Sequence, residues 1–249
     1  MKKIYGDFNK QDWLQNSHLN ESEVPETIIL HGEDGNVTEN IGEWESAFES
    51  IVSRPRWNMI VGKRRNKLIG FANVIWAPMT ALIVHKFAMM GTKHFIQIGY
   101  CGSLSAHLNY GEILLVKSAK SEDGVSTQYF PNELEFFPGN NLFNKAEMLL
   151  KEKKYLYKTG SIVTTSAMFL ETQNVVKNWQ SNNYIGVDGE TATTFAVAQK
   201  FGAEAISILT CSDHVALGDT LFNSDDDRSN LEEEAFGKIQ NLALALSVL

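Results

Sequence analysis

Five short stretches of this chain set carboxylates, hydroxyls and glycines side by side. They are Gly32-Glu33-Asp34-Gly35-Asn36, Gly99-Tyr100-Cys101-Gly102, Ser166-Ala167-Met168-Phe169, Asp188-Gly189-Glu190 and Cys211-Ser212-Asp213-His214. Each has a plain structural use when read alone. A glutamate at a helix start or a Ser-Asp pair after a strand caps a helix, and paired glycines permit tight turns or a close backbone approach. Read together, they offer acidic, hydroxyl and peptide groups to one ligand, provided the fold brings them to one place. The second stretch raises its own question, because the bulky Tyr100 stands between glycines that follow an apolar run at 95–98.

The elements that must position these groups alternate along the chain. Apolar runs at 27–30, 58–61, 67–76, 94–98, 112–119, 160–165, 184–187 and 205–210 read as strands. Helical spacing predicts helices over 39–52, 79–90, 141–152, 175–179, 191–201 and 229–249. The first of these rests on Ile41, Trp44, Phe48 and Ile51, and the last opens with Glu232, Glu233 and Glu234, which suit the positive end of the helix dipole. Gly62-Lys63-Arg64-Arg65-Asn66 reads as a solvated hairpin turn. Residues 122–140 are polar and aromatic, with Pro131 and Pro138, and read as a long, partly ordered excursion of a kind that often carries function. Strands alternating with helices predict a single α/β domain over 1–249 after a polar lead at 1–24: a three-layer sandwich, a mixed central sheet flanked by helices. Ligands in such folds collect at the carboxyl ends of strands. The five stretches follow Leu30, Ile98, Thr165, Val187 and Thr210, so each is expected at a strand end.

Composition narrows the function classes. The 249 residues are 43% hydrophobic and 21% charged, enough for a full core. No apolar run approaches the roughly 20 residues that span a bilayer, and residues 1–20 lack the apolar core of a signal peptide. The expectation is a cytoplasmic protein with no membrane partner. A net charge of −8 argues against nucleic-acid binding. Cys101 and Cys211 sit in apolar contexts without metal-ligand spacing, as two reduced buried thiols would. No metal and no cofactor are expected.

"GYCGSLSAHLNYGEILLV", "GVDGETATTFAVAQKFG" and "ILTCSDHVALGDT" resemble signature stretches of the purine nucleoside phosphorylase and uridine phosphorylase superfamily, which also contains hydrolytic nucleosidases. The Ser-Asp-His form of the last stretch is similar to the hexameric, purine-acting branch. The resemblance implies cleavage of the N-glycosidic bond between a ribose and a base. Asp213 matches the general acid that protonates the leaving purine, a role that needs a raised pKa. Glu190 matches the carboxylate that accepts hydrogen bonds from the ribose hydroxyls, and Met168 or Phe169 the wall packed on the base. Tyr100, Cys101, Gly102, Gly189 and Ser212 fall in the same motifs as substrate-binding positions. His18 resembles a residue that reaches into a partner subunit's site, which implies self-association as a homodimer or homohexamer around a small-molecule nucleoside.

The chain departs from the family where phosphate binds. In the first loop the arginine position is Asn36, with Glu33 and Asp34 beside it. In the second motif Gln97 stands at an arginine position and Tyr100 at that of a small hydroxyl residue. A hydrogen bond to a charged group is worth roughly 1.5–3 kcal/mol, so losing two arginines weakens phosphate binding by orders of magnitude. Hydrolysis of a purine or purine-like nucleoside, with Glu33 or Asp34 activating water, is the leading expectation. The alternatives are phosphorolysis with rebuilt anion contacts, with Arg54 or Arg56 as donors from a neighbouring subunit, and nucleoside binding without catalysis. Gly189, in place of a methionine under the ribose, is expected to open the sugar pocket.

Overall fold

The computed structural model describes residues 3–33, 35 and 37–249. In chain order its elements are α1 (Lys10–Ser17), β1 (Thr27–Gly32), α2 (Val37–Glu45), β2 (Ser50–Arg56), β3 (Met59–Arg64), β4 (Lys67–Val74), α3 (Trp76–Met90), β5 (His94–Ser103) and β6 (Ile113–Glu122). They continue with α4 (Ser126–Tyr129), β7 (Glu135–Phe136), α5 (Asn140–Glu152), β8 (Tyr157–Thr165), α6 (Gln173–Ser181), β9 (Gly186–Asp188), α7 (Thr191–Lys200), β10 (Glu204–Asp213) and α8 (Asp226–Leu246).

Both faces of the central strands are covered, so those strands are apolar at successive positions instead of alternate ones. In β1, Ile28 and Leu30 pack with side chains of α1, α3 and α7, while Ile29 faces the cluster built from α2, α5 and α8. The result is a mixed sheet between two layers of helices. β1 pairs in parallel with β4 and β5, and β2, β3 and β4 follow as an antiparallel meander. Beyond β5 the sheet closes on itself. β5 pairs with β10, β10 with β6, β6 with β8, β8 with β9, and β9 with β5 again. This five-stranded ring puts the ends of β5, β8, β9 and β10 around one mouth.

Several predicted boundaries move, each for a physical reason. The helix expected over 39–52 ends at Glu45, and Ile51 and Val52 belong to β2. Its helical spacing was real only as burial. Ile41 and Trp44 reach one apolar cluster from α2, and Phe48 and Ile51 reach the same cluster from a turn and a strand. The glycine segment 99–102 is not a loop but the continuation of β5, still paired with β10 and β9. Gly99 sits at φ +155°, and a Cβ there would lie 2.6 Å from the Gly32 carbonyl oxygen. The strand expected over 67–76 stops at Val74, because Trp76 turns to φ +60° and begins α3. The basic turn is a hairpin whose two central residues, Arg65 and Asn66, both have positive φ, as a tight β-hairpin turn requires. α8 begins at Asp226, capped by the Asp225 side chain, so Glu232 lies in its second turn. The polar lead contains α1, closed by a capping box between Asn9 and Asp12 and anchored by the buried Leu14. No helix among the described residues is long and apolar enough to cross a membrane.

Candidate active site

A cavity of about 360 Å3 opens at the mouth of the ring, and all five sequence stretches reach it. β1 contributes Gly32 and the following Glu33, β5 contributes Tyr100, Cys101 and Gly102, and the segment after β8 contributes Met168. Asp188, Gly189 and Glu190 arrive from the β9–α7 turn, and Ser212 and Asp213 from the end of β10. Successive strand residues normally face opposite ways. Ser212 and Asp213 both line the cavity because the β10–β5 register slips there: Cys211 faces Cys101, and Asp213, two residues on, faces Gly102. Such a bulge re-aims side chains.

The acidic groups differ in how they are held. Asp213 is 9% exposed, accepts a 2.8 Å hydrogen bond from Ser212 Oγ, and is pushed above the usual carboxylate range by burial. Glu171 lines the cavity beside it, and burial together with the Asp213 charge raises its pKa to about 7. Glu33 is held low instead: His31 Nε2 lies 3.1 Å from its Oε2, and Asn40 Nδ2 donates to that oxygen at 3.1 Å. Asp188 is fixed by Thr164 Oγ1 at 2.6 Å, the Thr191 N–H at 3.0 Å and Gln97 Nε2 at 3.2 Å. Glu190 Oε1 accepts the Trp76 N–H at 2.7 Å, so this carboxylate sits at the positive N-terminus of α3. Glu232 completes the acidic lining and takes a 2.8 Å bond from Arg228 Nε. Among the described residues, six carboxyls and no lysine, arginine or histidine line the cavity. Tyr100 stands on the Glu33 and Glu232 side, its ring stacked on Phe236 at 5.4 Å, and its hydroxyl is held protonated by burial and by those charges.

The family model of the phosphorylase superfamily matches residues 27–246. The chain belongs to that superfamily. Among curated relatives, a guanosine phosphorylase of Halorubrum lacusprofundi is 23% identical over 223 residues, covering 89% of this chain and 91% of that one. A DeoD-type purine nucleoside phosphorylase of Alkaliphilus metalliredigens is 26% identical over 203 residues, with 79% and 85% covered. The fold is also that of a uridine phosphorylase from Vibrio fischeri, with a TM-score of 0.81 at 18% identity over 98% of this chain and 99% of the other.

Within this superfamily frame, most residues expected at the site converge on the cavity and some do not. Asp34 and Asn36 lie outside the described residues. Phe169 is 84% exposed and misses the main cavity, which Met168 lines instead. His18 is exposed, in a left-handed conformation at the C-cap of α1, and does not line the cavity of its own chain. Arg54 pairs with Glu45 at 2.6 Å, Arg56 Nε donates to Asn58 Oδ1 at 3.3 Å, and neither lines the cavity. Gln97 is fully buried behind the cavity wall, donating to Asp188 and accepting from Thr194, so it offers nothing to a ligand.

Gly189 does not open the pocket. A Cβ built on it would lie 2.5 Å from Trp76 Cε3, so the indole occupies the space a side chain would take. Among the lining residues that sequence reasoning missed are Trp76, Glu171 and Glu232. Trp76 was hidden at the end of an apolar run. Glu171 lies two residues past a stretch already singled out, and Glu232 read as a helix-dipole charge.

Proposed function

We propose that this chain cleaves the N-glycosidic bond of a purine or purine-like nucleoside by hydrolysis. The observation that carries the reading is the lining itself: six carboxyls and no cationic side chain among the described residues. A phosphate dianion beside the ribose needs cationic, bidentate donors, and here it would meet Glu33, Glu232 and a phenol.

In the proposed reaction the base docks against Asp213 and Met168, and the ribose hydroxyls donate to Glu190. The C1′–N bond breaks with its electron pair going to the base, and the Asp213 proton is transferred to the base nitrogen. Burial supports this role, because a carboxyl pushed above its usual range keeps its proton nearer neutrality. Glu190 faces the positive charge that develops on the sugar. Water adds its oxygen to C1′ and gives its proton to Glu33. Attack on a cation-like carbon makes that water acidic, so a carboxylate held low by His31 and Asn40 suffices to orient and deprotonate it.

The relatives favour a second reading. They are named as guanosine and purine nucleoside phosphorylases, and phosphorolysis here requires that a neighbouring copy supply arginine. Incubation with a nucleoside panel, with and without phosphate, following free base and sugar by chromatography, separates the two. Free ribose formed at a rate independent of phosphate supports hydrolysis. Ribose 1-phosphate overturns it, and an intact bound nucleoside points to binding without catalysis.

A further inference from the structure

A second cavity of about 130 Å3 continues from the first, sharing Asp213, Glu171, Met168, Val215 and Leu221 with it. Its own contributions are Phe169 from the segment after β8 and Phe222 from the segment between β10 and α8, with Asp219 and Thr220 at its edge. Those polar groups are already engaged. Asp219 Oδ2 takes bonds from Tyr110 and Arg228, and Thr220 Oγ1 bonds with Asn223. Beyond Asp213 and Glu171, which it shares with the first cavity, what remains toward the space is apolar: Met168, Phe169, Val215, Leu221 and Phe222. Phe169 and Phe222 each leave 84% of their surface exposed, so two phenyl rings from distant parts of the chain stand uncovered at one rim.

We propose that this second cavity is a subsite for an apolar substituent on the base, so that the preferred substrate is a purine nucleoside carrying a branched alkyl or benzyl-sized group on an exocyclic amine. The inference rests on the nucleoside reading above and extends it. Asp213 and Glu171 belong to both cavities, so a base docked on Asp213 presents an edge to the second one. A cavity of about 150 Å3 lined by Leu, Ile and Phe is known to take benzene, which sets the size of group this space accepts. Between Phe169 and Phe222 such a group would cover aromatic surface that now faces water. Glu171, with its pKa near 7, is half-neutral there at neutral pH and tolerates an apolar neighbour.

The test compares base release from adenosine with N6-benzyladenosine, and from guanosine with N2-benzylguanosine, using whichever parent is cleaved. We expect a KM at least about 10-fold lower for the benzyl compound, the scale of a small apolar group in a fitted pocket. Phe222→Ala, at an exposed position where folding is not at stake, should cut that advantage several-fold, and Phe169→Ala likewise. Equal or weaker use of the benzyl compound overturns the inference while leaving the cleavage reading intact. So does an advantage indifferent to both substitutions. A Phe222→Asp variant that changes oligomer size and leaves the substrate ratio untouched assigns the rim to a subunit contact and also overturns it. If no nucleoside is cleaved, the cleavage reading fails and calorimetry decides the subsite. N6-benzyladenine binding about 10-fold more tightly than adenine supports it, and equal affinity removes it.

Discussion

At Glu171, burial and the neighbouring Asp213 act in the same direction, and the carboxyl pKa rises from 4.5 to about 7. A folded-state pKa above the unfolded one means that the native state holds the proton more tightly between those values. The contribution of this carboxyl to stability is therefore fully present below pH 4.5 and is lost as pH rises through about 7. Glu171→Gln removes this penalty. We expect the variant to be more stable than the parent at pH 8, by on the order of 2 kcal/mol, with the difference shrinking steadily as pH falls toward 4.5 in thermal melts. Base release should fall as pH rises through the Asp213 pKa, which burial holds above the usual carboxylate range; a kcat/KM profile without that limb would remove Asp213 from the acid role. Asp213→Asn keeps the side chain's shape and loses its transferable proton. Its turnover should drop by at least roughly 100-fold, with circular dichroism unchanged. Asp213 was legible in the sequence because a Ser-Asp-His triplet after an apolar run belongs to a known pattern. Glu171 was not, because its protonation comes from burial and from a partner 42 residues away, and neither leaves a mark in a local stretch.

The junction of α3 with the β9–α7 turn is the element that most departs from expectation. Trp76 takes a positive φ, donates its N–H to Glu190, and lays its indole where a residue-189 side chain would go. Gly189→Met should therefore collide with the indole, costing about 1–3 kcal/mol as an overpacked site does, and raising KM for the nucleoside as Glu190 loses its donor. Trp76→Ala in the same chain should recover most of that loss, giving a large coupling in a double-mutant cycle. Additive effects would show that the two residues do not compete for the space. The five strands were readable in advance because apolar runs alternate with helical spacing, although β5 and β10 run on to Ser103 and Asp213, past the ends expected at Ile98 and Thr210. The Trp76–Gly189 exchange was not, since it joins residues 113 apart through shape alone. Likewise, Gly99-Tyr100-Cys101-Gly102 reads as a loop by composition and is a strand by pairing, because both β9 and β10 supply hydrogen-bond partners that only the assembled sheet reveals.

For the whole molecule, the acidic mouth predicts insensitivity to phosphate: raising phosphate to millimolar levels should leave the rate of base release unchanged. A phosphate-dependent rate would mean that cations enter from a second copy, and light scattering with Arg54→Ala and Arg56→Ala variants would show whether association supplies them. The ring in which β5 meets β10 has a further consequence, in the order of synthesis. β5 spans His94–Ser103 and β10 spans Glu204–Asp213, so one side of β5 waits about a hundred residues for its partner, and one side of β6 waits for the same strand. A nascent chain halted at residue 200 carries two unfinished apolar strand edges, which recruit other strands. Ribosome-released fragments ending there should aggregate or be held by chaperones, and those reaching past α8 should not. The last fifth of this protein is thus the part that makes the rest safe to expose to a crowded cell.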